Sequence, residues 1–283
     1  ESGSTYEIYK NGGIFPTGTY HPNSLLLNTG STLDRASFSM NTSTGSYGNY
    51  EFNAPGYIGS FLGFNNNYTF NNVNIIDDGI GIWVYGTSTS TAYTLTVNGN
   101  LTINTGCTLD INRASSGFQT TTILVKGNIE NNGLITETNG NIGSQIEIGG
   151  NTNTTFSTVE NGITNDVSLR INKGNGTNVT ALTDIILPNT DYSKLTLTSG
   201  NIDMQSNNKL LFIQNPAFDA LIGGTVASHV IGKLKRNSNQ QRTYEFPVSD
   251  NAVSLAKFEV TTTNTNASDW IVEFLPLNPF SNV

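Results

Sequence analysis

Three tetrapeptides, "VNGN", "VKGN" and "IGGN", begin at Val97, Val125 and Ile148, spaced 28 and 23 residues apart, and "LTSGNI" at Leu197 echoes them. The clearest strand pattern surrounds the first of them, in "YTLTVNGNLTINTGCTLDIN". There, Leu95/Val97, Leu101/Ile103 and Leu109/Ile111 form apolar pairs, each split by one Thr or Asp. Alternation of period two is the signature of a strand with one buried face. Ordinary hairpins do not require the same corner to return. Recurrence at 20–50 residues marks stacked units that bury their apolar faces against one another. The expected fold is therefore all-β: a right-handed parallel β-helix with about three short strands per coil. Gly at the corners permits positive φ, and Asn tolerates the left-handed region. Stacked Asn amides can also bond along the axis. The unequal spacings imply corner insertions, of which "RASSGFQTTT" (113–122) reads as one.

No segment carries a helical apolar period, because Gly or Asn interrupts each candidate. The early part, Tyr47 to Gly86, is dense in aromatic residues and reads as first coils with a cap or an extra loop. The Asn-Gly corner stops after "NKLLFIQNPAFDALIGG". Longer strand candidates follow at Ser228–Leu234, Arg242–Val248, Ala256–Thr263 and Trp270–Leu275, which suits an antiparallel sheet. The expected division is residues 1–218 for the β-helix and its aromatic-rich N-terminal region. Residues 219–283 form a smaller antiparallel, β-sandwich-like module, read as incomplete.

Charged residues are only 12% of the chain, against about 25% in typical domains. Asn, Thr, Ser and Gly take their place, giving an uncharged polar surface rather than a disordered one. The net charge of −8 argues against nucleic acid, whose binding draws on Lys and Arg. The single cysteine, Cys107, excludes an internal disulfide and a Cys-rich zinc site. No apolar run reaches the roughly 20 residues of a membrane span.

Few residues suggest chemistry. Asp77-Asp78-Gly79 resembles part of the pattern of inverting polygalacturonases, which hydrolyse sugar polymers with paired carboxylates. That pattern also needs a further Asp, a Gly-His-Gly and a basic pair. The two histidines, His21 and His229, fall elsewhere, and "RINK" at Arg170 is a poor substitute. A turn is preferred here over calcium binding, and calcium binding over catalysis. Aromatics between Tyr47 and Tyr93 could stack on sugars if exposed in a row; core filling is preferred. Cys107 lacks a nearby base and reads as inert. Lys233, Lys235, Arg236 and Arg242 fall within ten residues of one another. Strand phase makes Lys233 and Lys235 one wet face, with "RNSNQQR" an exposed turn rather than an anion site. No catalytic, cofactor or metal residue is assigned.

The order "LTLTSGNIDMQSNNKLLF", "SHVIGKLKR", "YEFPVSD", "WIVEFLPLNPF", spanning about Leu195 to Phe280, resembles large surface proteins of Bacteroidetes-type bacteria. In those, β-helical repeats lead into a Gly-x-Leu-x-Arg strand, a Phe-Pro-Val-Gly step and a closing aromatic strand. Ser249 stands where that family has Gly, so the turn after Val248 should differ. The resemblance implies export by type IX secretion, display on the outer cell surface and a longer parent chain. It also implies a non-enzymatic structural or adhesive role. Partners would be other surface proteins or extracellular glycans, with self-assembly into a fibre or filament through coil ends or edges as a third reading. The alternative function is a glycan-binding or polysaccharide-cleaving β-helix.

Overall fold

The structure is a computed structural model that describes residues 3–8, 14–15, 20–29, 39–40, 45–54, 67–77, 82–83, 92–112, 120–138, 143–174, 176–263 and 265–275. It is an all-β parallel solenoid. One long face is a twelve-stranded sheet running from Thr5–Ile8 to Ala256–Thr261, and a flank face is an eight-stranded sheet. The third face is a three-stranded sheet, then a four-stranded one, and an isolated parallel bridge, Ile135 to Ile163, continues the first. A two-stranded sheet pairs Ile14–Phe15 with Ser39–Met40. A single 3-10 turn, Phe218–Ala220, is the helical structure among the described residues.

Register explains the repeat spacing. Val97 pairs with Val125, Val125 with Ile148, Ile148 with Ile171 and Ile171 with Leu197. The "VNGN", "VKGN" and "IGGN" corners are therefore the same corner in successive coils. A second row stacks Leu95, Ile123, Ile146, Leu169 and Leu195. All of these side chains are buried, and together they form one continuous core. Each such side chain contributes about 1.5–3 kcal/mol on burial. Moving a strand by one residue would turn its whole apolar row outward, so burial fixes the register.

The corner asparagines bind along the axis, through backbone rather than amide-to-amide ladders for the most part. The Asn72 side-chain oxygen accepts the Asn100 N–H at 2.7 Å. Asn100 does the same for Asn128 at 2.9 Å, and Asn128 for Thr155 at 2.9 Å. The corner glycine serves a different purpose from the one expected. Gly127 is not in the left-handed region, but a Cβ there would lie 2.4 Å from the Gly99 carbonyl oxygen. Close approach of coils, not positive φ, demands glycine. Positive φ is needed at Gly150 (83°), in the next coil's corner.

Parallel pairing continues past residue 219. Val230–Ile231 stacks on Asn201–Asp203, Lys233–Ser238 on Leu210–Ile213, and Thr243–Ser249 on Val230–Ile231. The sequence reads Ser228–Leu234 as one strand, but Gly232, at φ 101°, turns the chain there from the long face to the third face. Two antiparallel strands then extend the last coil. Ala256–Thr261 pairs with Thr243–Ser249, and Ser268–Val272 pairs with Lys233–Ser238. Ser249 is buried, and its hydroxyl accepts the Asn251 N–H at 3.2 Å and meets the Ser254 hydroxyl at 3.0 Å. A glycine there could make neither bond, so the turn at 249–254 is built differently from one that follows Phe-Pro-Val-Gly.

Candidate functional site

Two adjoining depressions lie on the long face and at its corner with the third face. One, of about 500 Å³, is lined by residues of 158–163 together with Thr183, Asp184 and Ile186. The other, of about 350 Å³, lies among Thr102, Glu130, Thr155, Ser157 and Leu182 and their neighbours. The consecutive residues Ser157/Thr158 and Leu182/Thr183 divide them, so they form one trough across several coils. Its floor follows from strand phase: Glu130 stands opposite Ser157 on the outward side while Ile129 and Phe156 fill the core. The trough offers hydroxyls, carboxylates from Glu130, Glu160 and Asp184, and two exposed aliphatics, Val159 and Leu182. Part of its polarity is already used. Asp184 accepts the Leu210 N–H at 2.9 Å, and Glu130 accepts an Asn132 amide N–H at 2.8 Å.

The residues singled out from sequence are dispersed. Asp77 ends the strand Val73–Asp77, and its carbonyl accepts the Ala54 N–H at 2.7 Å. Asp78 lies outside the described residues. Among the described residues no group of three or more His, Cys, Asp or Glu side chains could hold a metal ion. Tyr47, Tyr50, Phe52, Tyr68 and Phe70 are buried, and Tyr47 stacks on Phe70 with centroids 5.4 Å apart. These five rings fill the core. Tyr93 is half-buried, and Tyr57, Phe61, Phe64 and Tyr85 lie outside the described residues. Cys107 is buried in the core. His21 is exposed, with Nδ1 accepting the Asn23 N–H. His229 is buried, and its two ring nitrogens face the carbonyls of Thr225 and Asn251.

The basic strip also separates. Lys233 donates to Asn208, and Lys235 pairs with Asp269 at 2.8 Å and lies over the Phe212 ring. Arg242 lies over Phe218. Arg236 is a correction to the exposed turn read from sequence: it is fully buried. It shares the inward phase of Leu234, and the strand runs on to Ser238. Its guanidinium donates to the carbonyls of Glu245 (2.9 Å), Phe218 (2.9 Å) and Ala217 (3.3 Å). Burial lowers its pKa to about 10.

Two further buried charges escape a reading by residue type. Lys173 has its Nζ 2.6 Å from the Gly149 carbonyl and 3.3 Å from the Thr154 hydroxyl, and burial lowers its pKa to about 8. In "RINK", Arg170 points outward to Thr198 and Glu147 while Lys173 points inward, so they share no surface. Glu137 is buried, with Ser144 N–H donating at 2.8 Å. Burial pushes its pKa up to about 7, and Asp166 and Asp110 push the same way. A carboxyl with a raised pKa is the acid a glycosidase needs, but this one is sealed inside the wall.

Glu137 makes pH dependence testable. Its folded pKa lies above its unfolded value, so its proton favours the folded state at low pH. That advantage is lost as pH rises from about 4.5 through about 7. Glu137→Gln should therefore be more stable than the parent at pH 8, by about 3 kcal/mol at most, and equal to it below pH 4.5. Urea denaturation at the two pH values reads the difference directly. A constant offset between them would exclude this assignment.

Among the described residues no helix is long and apolar enough to cross a membrane. No protein-family model, no curated protein and no solved structure matches the chain.

Proposed function

We propose that this chain is a non-enzymatic structural and adhesive protein of the outer cell surface, exported by type IX secretion. It acts as a stiff rod whose polar faces meet other surface proteins or extracellular glycans through many weak contacts. One observation carries this reading: the ionisable side chains in unusual environments, Glu137, Lys173 and Arg236, are buried and hydrogen-bonded within the scaffold. They brace the coils, while the outward long-face row runs Asn74, Thr102, Glu130, Ser157. Such a surface recognises by repetition. The order of motifs from Leu195 to Phe280 supports the cellular location.

Glycan binding along the trough is the second reading, favoured by its hydroxyls, its carboxylates and the exposed Val159 and Leu182. One set of measurements separates the readings. Beads coated densely with the chain should adhere to cells or glycan-bearing surfaces where the soluble chain binds only at high concentration. Reducing-sugar release should stay at background. Tight monovalent capture of one glycan, lost in Leu182→Lys, would favour the second reading. Sugar release from any polysaccharide would overturn the first.

A further inference from the structure

Among the described residues, the C-terminal end of the long face is an open edge. Ala256–Thr261 pairs with Thr243–Ser249 on one side and with no strand among the described residues on the other. Backbone geometry fixes which groups face out. Thr262 N–H donates inward to Arg242, so alternation directs the N–H and C=O of Lys257, Glu259 and Thr261 to the open edge. The side chains leave the end unfinished too. Phe258 lies across from buried Phe246, on the core side of the sheet, yet is 40% exposed.

The charges on this strand are arranged for a copy of itself. Glu259 stands directly across from Glu245, an unfavourable like-charge pair. Lys257 bonds Glu245 at 2.5 Å, and no ion pair to Glu259 occurs among the described residues. An isolated lysine on an edge strand usually discourages pairing. Here the sequence Lys257-Phe258-Glu259 is self-complementary when read antiparallel.

We propose that a second copy of this chain docks on this edge, through a two-fold antiparallel pairing of the Ala256–Thr261 strands centred on Phe258. In that register Lys257 of each copy faces Glu259 of the other, neutralising the unpaired carboxylate. The two Phe258 rings meet at a non-hydrogen-bonded position, where side chains approach closely. The outward N–H and C=O groups of Lys257 and Glu259 exchange backbone bonds across the axis. The contact is isologous, so it closes at two copies. It joins two solenoids tail to tail into one continuous sheet. Its small size makes the dimer a weak one, in the micromolar range. The inference is independent of the adhesive reading, since it concerns the sheet edge alone.

Sedimentation equilibrium of the chain across micromolar concentrations tests it. The parent should show a monomer–dimer equilibrium. Glu259→Lys should weaken dimerisation roughly a hundredfold, by setting two lysines face to face twice per dimer. Within the fold this change should be benign, because it relieves the Glu245–Glu259 opposition. The charge swap Lys257→Glu with Glu259→Lys should restore the parent's association. Circular dichroism with a native thermal midpoint confirms that each variant is folded. A parent that stays monomeric at all concentrations overturns the proposal, whether the edge is covered by this chain's own later residues or by another protein. A dimer unaffected by Glu259→Lys, or not rescued by the swap, overturns it equally.

Discussion

Gly127→Ala should lower stability by about 3 kcal/mol or more, whereas Gly106→Ala should cost only about 1 kcal/mol. The two corners differ in what surrounds them. At Gly127 an added Cβ would fall 2.4 Å from the Gly99 oxygen, 2.5 Å from the Gly99 carbon and 2.6 Å from the Asn100 side-chain oxygen. Two of those atoms are backbone of the previous coil, and the third belongs to the side chain that caps the Asn128 N–H. Nothing there can yield without parting two coils. Gly106 has φ of 84° and no atom within 4 Å of its added Cβ, so alanine there meets only backbone strain. Because coils stabilise their neighbours, the damage should spread from the corner. Urea unfolding gives the magnitude. Hydrogen exchange should show Leu101–Ile103 and Ile129–Asn131 opening first in Gly127→Ala and unchanged in Gly106→Ala.

The same corner shows what was legible in the sequence. The recurrence of "VNGN" and "VKGN" gave the coil length, because register must carry one corner onto the next. Alternation at Leu95/Val97 and Leu101/Ile103 gave the inward rows. The reason for glycine was not legible. Close approach and positive φ leave the same letter in the sequence, and the structure needed the first at Gly127 and the second at Gly150.

Buried charge is partly legible in the sequence. Lys173 continues the phase of Leu169 and Ile171, and Arg236 continues that of Leu234. Residue type argued outward, phase argued inward, and phase won because backbone carbonyls were waiting inside. The trough could not be read at all. Its walls come from residues separated by a whole coil, such as Glu130 and Ser157. Only the register brings them together. Asp77 ends its strand, and Asp78 lies outside the described residues.

Arg236→Ala should destabilise the chain by about 4 kcal/mol, among the largest losses any single side chain here can produce. Arg236 lies where the strand Lys233–Ser238 meets the turn at 217–218 and the strand Thr243–Ser249. Its guanidinium binds three backbone carbonyls at once, with the rings of Tyr244 and Phe246 centred 5.2 Å and 5.9 Å away. Burial outweighs the opposing pull of Tyr244, Glu245 and Asp219, so its pKa falls to about 10 while the group stays charged at neutral pH. Replacing buried ions with apolar groups is often harmless when both partners go together. Here the partners are backbone carbonyls and cannot be removed. Alanine takes this donor from the Glu245 and Phe218 carbonyls, leaves Ala217 with the Ala220 N–H, and adds a cavity against two aromatic rings. Arg236→Met fills most of that space and still loses the three bonds, so it should recover only part of the loss. Arg236→Lys keeps the charge on one compact ammonium that cannot span three carbonyls, and it should fall between parent and alanine. Thermal melts of the three variants would order them parent, Lys, Met, Ala. Met equal to the parent would mean that Arg236 contributes volume and not its hydrogen bonds.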